Sequence, residues 1–176
     1  RAQEAHQRIQ QIIRDVLALV RGGHNIDEPT TVALETAATD AWSLVDTGDS
    51  TLVINTQLVI RADREQLTRI FENLFRNAVQ HAGPDVTVRV ETLASGQGFY
   101  IADDGAGIPP GDRSAVLEAG VSRDGDGTGL GLAIVSSLAA AHGWELAVTE
   151  SESGGAQFEF AGVDLVADES ASTELD

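Results

Sequence analysis

Apolar side chains recur at helical spacing from the start of the chain. Ala5, Ile9, Ile12, Ile13, Val16, Leu17 and Val20, with Gln, Arg, Glu and Asp between them, predict an amphipathic helix over residues 1–21. Gly22-Gly23 stops that helix, and His24, Asn25, Asp27 and Pro29 read as a linker before a globular region beginning near Glu28. A second helix is expected over 32–45, then an Asp46-Thr47-Gly48-Asp49 turn and two short strands in the β-branched segment 51–60. The clearest helix follows. Asp63 stands as its cap with Gln66 three residues on, Leu67, Ile70, Phe71, Leu74, Phe75 and Ala78 form one stripe, and Gly83-Pro84 ends it. Val86, Val88 and Val90 alternate with Thr87 and Arg89. A Ser95-Gly96-Gln97-Gly98 turn joins them to the apolar run 99–102 as a hairpin. Residues 103–131 read as loop, 130–142 as helix, 144–149 and 157–161 as a closing strand pair around Gly154-Gly155, and the chain after Val163 as an acidic tail.

The chain of 176 residues is long enough for one domain plus an appendage. Its 28 Asp and Glu face 11 basic residues, every one an arginine, for a net charge of −17. The absence of lysine removes a Schiff-base amine and the lysine of a P-loop from consideration. The negative charge argues against nucleic acid as a partner. Lysine-free acidity resembles the surface chemistry of halophilic proteins, in which dense carboxylates maintain solubility at high salt. With no cysteine there are no disulfides, thiolate ligands or thiol nucleophile. No apolar run approaches the roughly 18 residues of a membrane span. The start at Arg1 and the lack of methionine lead us to expect a piece of a longer protein.

Three segments carry candidate chemistry: Glu72-Asn73-Leu74-Phe75-Arg76-Asn77-Ala78 on the clearest helix, Asp103-Asp104-Gly105-Ala106-Gly107-Ile108-Pro109, and Gly127-Thr128-Gly129-Leu130-Gly131-Leu132. At about 100° per residue Asn73 and Asn77 lie roughly 40° apart, with Gln80 on the same flank and Glu72 on the opposite one. An amide oxygen is a hard ligand suited to Mg²⁺, which takes few protein ligands, and Asn77 is the better placed. The glycine loop offers unobstructed N–H groups and leads into a helix N-terminus, a cradle for polyphosphate that needs no lysine. Asp104 presents a carboxylate able to accept the exocyclic amino hydrogen bond of adenine. Taken singly, each has an ordinary explanation: surface amides on an amphipathic helix, an Asp-Gly turn, a flexible loop. Their order and conjunction favour a nucleotide site.

Together these segments resemble the histidine-kinase-type ATP-binding domain of the superfamily that also holds gyrase, heat-shock chaperones and MutL. The resemblance covers about residues 28–162, with the N box at 73–81 and glycine boxes at 104–108 and 127–132. It implies an α+β fold, a two-layer α/β sandwich of Bergerat type, in which helices cover one face of a mixed sheet and one amphipathic helix precedes it. Residues 1–22 would be the second helix of a dimerisation and phosphoacceptor hairpin, 23–30 a linker, 31–163 the ATP-binding catalytic domain and 164–176 the acidic tail. By the same resemblance Asn73 and Asn77 serve catalysis and Asn77 holds Mg²⁺. Asp104 takes the adenine amino group, and Gln80, His81, Gly105, Gly107 and Ile108 line the nucleotide. Gly127, Thr128, Gly129, Leu130 and Gly131 line the phosphates of ATP beneath a lid over about 110–126, from which Arg123 reaches the γ-phosphate. Two departures stand out: Gln80 replaces a lysine common among relatives, and their phenylalanine-bearing lid box is reduced to Val116-Leu117-Glu118-Ala119-Gly120.

The implied activity is transfer of the γ-phosphoryl group to a histidine on a helix outside this chain, on its own or a partner subunit. A response-regulator receiver domain would be the next partner, the full-length protein a homodimer, and this portion cytoplasmic. His6 is a poor acceptor, being followed by Gln7-Arg8 without an adjacent carboxylate. His24 reads as a linker residue and His142 as a cationic cap of the last helix. A gyrase-type ATPase clamp is disfavoured because Asn73 occupies the face where a water-activating carboxylate is needed. A nucleotide-binding module without catalysis is the remaining alternative.

Overall fold

Alternation along the strands builds the core. The structure is a computed structural model that describes residues 1–21, 26, 28–118 and 129–167. Strands β2 (Thr51–Asn55), β4 (Thr87–Thr92), β5 (Gly98–Asp103), β6 (Glu145–Glu150) and β7 (Ala156–Ala161) form one sheet in the order β2-β4-β5-β7-β6. The β2–β4 pair is parallel and the others antiparallel, so the sheet is mixed as expected. Val88, Val90, Phe99, Ile101, Phe158 and Phe160 are buried at every second position. The intervening residues form a polar face, where the Tyr100 hydroxyl donates to Glu91 at 2.6 Å.

Helices α2 (Leu34–Ser43), α3 (Arg64–Ala82) and α4 (Gly131–Ala141) cover the apolar face. Phe71 of α3 lies 5.9 Å from Phe99 between ring centres, Phe75 meets Trp42 of α2 at 5.1 Å, and Phe99 stacks on Phe160 at 4.9 Å. Each fully buried side chain of this size contributes about 1.5–3 kcal/mol, which makes α3 the central pillar of the helical layer. The two-layer α/β sandwich is therefore present. Helix α1 (Ala2–Arg21) precedes it and lies against α4, with Leu19 packed on the core. Its Ile9, Ile13, Val16 and Val20 remain exposed, between 45% and 64%. No helix among the described residues is long and apolar enough to cross a membrane.

Three expectations change. The helix expected over 32–45 is preceded by strand β1 (Thr30–Ala33), because Thr30, Thr31 and Val32 pair antiparallel with β3 (Val59–Ala62) before the chain turns into α2. The two strands within 51–60 thus belong to different sheets. The tail begins later than Val163. Arg61 N–H donates to Asp164 O and Val166 N–H to Val59 O, both at 2.9 Å, so Leu165 bridges Ile60 on the other edge of β3. Residues 168–176, and most of the linker with His24, lie outside the described residues. Finally, Asp63 does cap α3 by accepting from Gln66 N–H at 3.1 Å, but the reciprocal bond goes elsewhere: Asp63 N–H donates to His142 Nε2 at 3.1 Å.

Candidate functional site

The N box occupies the second half of α3, on the flank beside the Leu67–Ala78 stripe. Asn73 and Asn77 are half-buried, whereas Gln80 and His81 are exposed on the last turn. Asn73 Nδ2 donates to Arg69 O at 2.8 Å, which leaves Oδ1 directed away from its own helix. That oxygen lies against the start of α4, so close that a Cβ on Gly131 would stand 3.3 Å from it. The N box and the end of the second glycine box therefore meet. Leu130 occupies the N-cap position of α4 without a side-chain bond, and Gly129 before it has φ +68°. Arg123, Gly127 and Thr128 lie outside the described residues. Of the reduced lid box, Val116 is buried in a 3₁₀ turn, Ala115–Leu117, that packs on α4.

Glu72 turns the other way, as its helical position requires. Its carboxylate is 3.9 Å from Arg76, and Arg69 and Arg14 of α1 contribute further positive field. Burial nevertheless pushes its carboxyl above the usual range, since desolvation outweighs those three partners. It does not stand beside the asparagine pair.

The two aspartates of the first glycine box have different fates. Asp103 is the last residue of β5 and shares the parity of Phe99 and Ile101, so it faces the helical layer. Its Oδ1 accepts from Gly105 N–H at 2.9 Å and Ala156 N–H at 3.1 Å. Burial pushes this carboxyl up, the two amide bonds pull it down, the charge of Asp104 raises it and His81 lowers it. His81 is thus an electrostatic neighbour of Asp103. Asp104 has the opposite parity: it is exposed, and its Oδ1 accepts from Thr87 N–H at 2.8 Å, tying down the start of β4. The Asp104 side chain, expected at the nucleotide, points off the helical layer and is engaged by Thr87 N–H. The strand alternation through Phe99 and Ile101 places Asp103, and not Asp104, on the helical side.

Glycine is required around this turn. A Cβ on Gly105 would collide with Ala82 at the end of α3, and one on Gly107, whose φ is +75°, would come within 2.6 Å of Gly154 O. Ile108 is half-buried against the core, and its carbonyl accepts from Arg113 Nε at 3.0 Å. Among the described residues no group of three His, Cys, Asp or Glu side chains is placed to hold a metal.

His142 is the C-cap of α4, as its position predicted, but it is no cation. Its Nδ1–H donates to Leu138 O at 2.8 Å while Nε2 accepts from Asp63 N–H, and the ring stacks on Trp144 at 4.2 Å. The bond accepted at Nε2 needs the neutral ring, whereas the donation from Nδ1 is open to either form. Desolvation accordingly lowers its pKa from 6.5, against the pull of Leu138 O and the Asp63 carboxylate.

Residues 62–166 match the family described as histidine kinase-, DNA gyrase B- and HSP90-like ATPases. The sensor histidine kinase ZraS of Salmonella typhimurium is 32% identical over 164 residues, covering 86% of this chain and 34% of ZraS. The sensor-type histidine kinase PrrB of Mycobacterium bovis is 34% identical over 129 residues, 70% of this chain and 29% of that one. The chain thus spans about a third of the length of these curated relatives. Among solved structures, full-length ShkA in complex with AMPPNP superposes with a TM-score of 0.75 at 30% identity, over 94% of this chain and 38% of that one. The ATP-binding domain of PrrB from Mycobacterium tuberculosis gives 0.61 at 29% identity, over 80% of this chain and all of that one. With its mixed sheet under three helices and its N box brought to the second glycine box, the chain belongs to the histidine kinase-, DNA gyrase B- and HSP90-like ATPase family, as an ATP-binding domain of the sensor histidine kinase kind.

Proposed function

We propose that this chain binds Mg-ATP and, within a longer sensor histidine kinase, directs its γ-phosphoryl group to a histidine outside the chain. The observation that carries the reading is the approach of Asn73 Oδ1 to Gly131, which brings the N box to the helix N-terminus that follows the glycine loop. Asp103, rather than Asp104, takes the adenine amino group, because one face of its carboxylate is fixed by two backbone amides and lies on the helical side. Gly107 and Ile108 line the base, and Gly129 to Gly131, with Gly127 and Thr128 before them, line the phosphates.

The donor chemistry fits Mg²⁺. Among the described residues no hydrogen bond engages the Asn77 amide, one neutral oxygen donor is available on the nucleotide flank, and no competing carboxylate cluster exists. Asn77 would hold the ion, which when bound screens the phosphate charge during transfer. The chain's own contribution is to bind and align: Asp103 selects adenine, α4 receives the phosphates on its amide end, and Asn73 braces that end. Gln80 adds a neutral donor where a lysine would add charge. With Glu72 turned to α1 and paired to Arg76, water activation of the gyrase type lacks its base, which favours phosphoryl transfer over hydrolysis.

The exposed apolar stripe of α1 supports a homodimer of the parent protein through this helix, with the acceptor histidine on the helix that pairs with it. A receiver domain would then take the phosphoryl group. Titration of the chain with ATP, ADP and GTP, with and without Mg²⁺ and at low and molar salt, tests the reading. Saturable binding of ATP and ADP over GTP is expected, and equal binding of ATP and GTP would overturn it.

A further inference from the structure

Where the β5–β7 ladder ends, at the Ala102–Gln157 pair, a side chain takes over its work. Ser151 follows β6 and is only 8% exposed. Its Oγ donates to Asp103 O at 2.7 Å and accepts from Gly155 N–H at 2.9 Å, so one hydroxyl joins the end of β5 to the start of β7. The turn that holds it is itself closed, Ser151 N–H donating to Gly155 O and Gly154 N–H to Ser151 O, both at 2.9 Å. Gly155 lets the two main chains approach, since a Cβ there would collide with Asp103 O and Oδ1. That approach is what carries Ala156 N–H to Asp103 Oδ1.

We propose that Ser151 is the positioning residue of the adenine acceptor: with Gly155 it fixes the Asp103 main chain so that Oδ1 is consumed by Gly105 and Ala156 and only Oδ2 is left to meet the exocyclic amine. Discrimination between purines depends on that second oxygen standing at one place, since an acceptor free to swing also tolerates a base that lacks the amine. A hydroxyl that both donates and accepts is suited to this, because each bond polarises the other. The inference rests on the assignment of adenine to Asp103.

The test measures binding of ATP and of purine riboside triphosphate, which lacks the amine, by calorimetry on the whole chain with Mg²⁺. The wild-type chain should prefer ATP, and Asp103→Asn should lose most of that preference. Ser151→Ala should shrink the preference by about five- to tenfold, the scale of one lost hydrogen bond between neutral groups. Ser151→Thr, which keeps the hydroxyl, should restore it. If Ser151→Ala keeps the wild-type preference while Asp103→Asn loses it, the role of Ser151 is refuted and the adenine assignment stands. A wild-type preference in Asp103→Asn refutes both. Should Ser151→Ala fail to fold, amide exchange of the wild-type chain decides: Gly155 and Ala156 should be better protected by ATP than by the analogue at equal saturation, and equal protection overturns the proposal.

Discussion

Replacing His142 by phenylalanine tests the junction between the two helices of the nucleotide site. The ring links the Leu138 carbonyl of α4, at 2.8 Å, to the N–H of Asp63, the N-cap of α3, at 3.1 Å. Phenylalanine keeps the stack on Trp144 but removes both bonds. A half-buried Asp63 N–H left without its acceptor costs about 1–3 kcal/mol. The Leu138 carbonyl adds little, because His142 N–H already donates to it at 3.2 Å. A loss of about 1–3 kcal/mol at pH 7.5 is therefore expected from urea unfolding. The pH dependence sharpens the test. The folded-state pKa of His142 lies below its unfolded value of 6.5, so the unfolded chain takes up the proton first as pH falls. The contribution is complete above pH 6.5 and is lost as the pH falls through the folded value beneath it. Glu72 and Asp103, whose carboxyls are pushed up, act with the opposite sign, so the informative quantity is wild type minus His142→Phe. That difference should shrink between pH 7.5 and 5. A difference that stays constant or grows would refute a neutral, doubly bonded imidazole.

Other expectations concern the site and its frame. Asp103→Asn should weaken ATP binding by about 1.5–3 kcal/mol in calorimetry, while Asp104→Asn, whose carboxylate accepts from Thr87 N–H away from the helical layer, should leave affinity nearly unchanged. In Asn77→Ala the Mg²⁺ dependence of ATP binding should vanish with adenine preference retained, and persistent dependence would move the ligand elsewhere. Gly155→Ala should lower stability by at least about 2 kcal/mol, read as a fallen urea midpoint, since its Cβ meets main chain that cannot yield. Incubated alone with γ-labelled ATP, the chain should acquire no acid-labile, base-stable label. Labelling abolished by His6→Gln would show that the acceptor lies on α1.

The layer architecture was legible because its signals are periodic: the Leu67–Ala78 stripe and the alternating valines each specify an element and the face it buries. Partner choice was not. β2 and β3 both read as strands, yet nothing local says that β3 pairs with β1 and with Leu165 rather than with β2. Asp103 and Asp104 are chemically identical and adjacent, so residue type alone leaves them equivalent. Strand parity separates them, but only if β5 is carried one residue past its apolar run. For His142 the sequence shows the helix end but not Asp63 N–H, which comes from 79 residues away and decides the protonation state.

The small sheet has a topological corollary. Because β1 lies on one edge of β3 and Leu165 on the other, the first strand of the sandwich and the bridged segment around Leu165 are separated by a single strand, about 9.6 Å at ordinary sheet spacing. The sandwich is entered and left through one doorway. Rotation of the whole unit about that doorway would move the chain on both sides together, without tension between them. A circular permutant that joins residue 166 to residue 30 with a short flexible bridge and opens the β4–β5 turn at its exposed Ala94-Ser95 tip should keep the sheet order and the Asp103 environment intact.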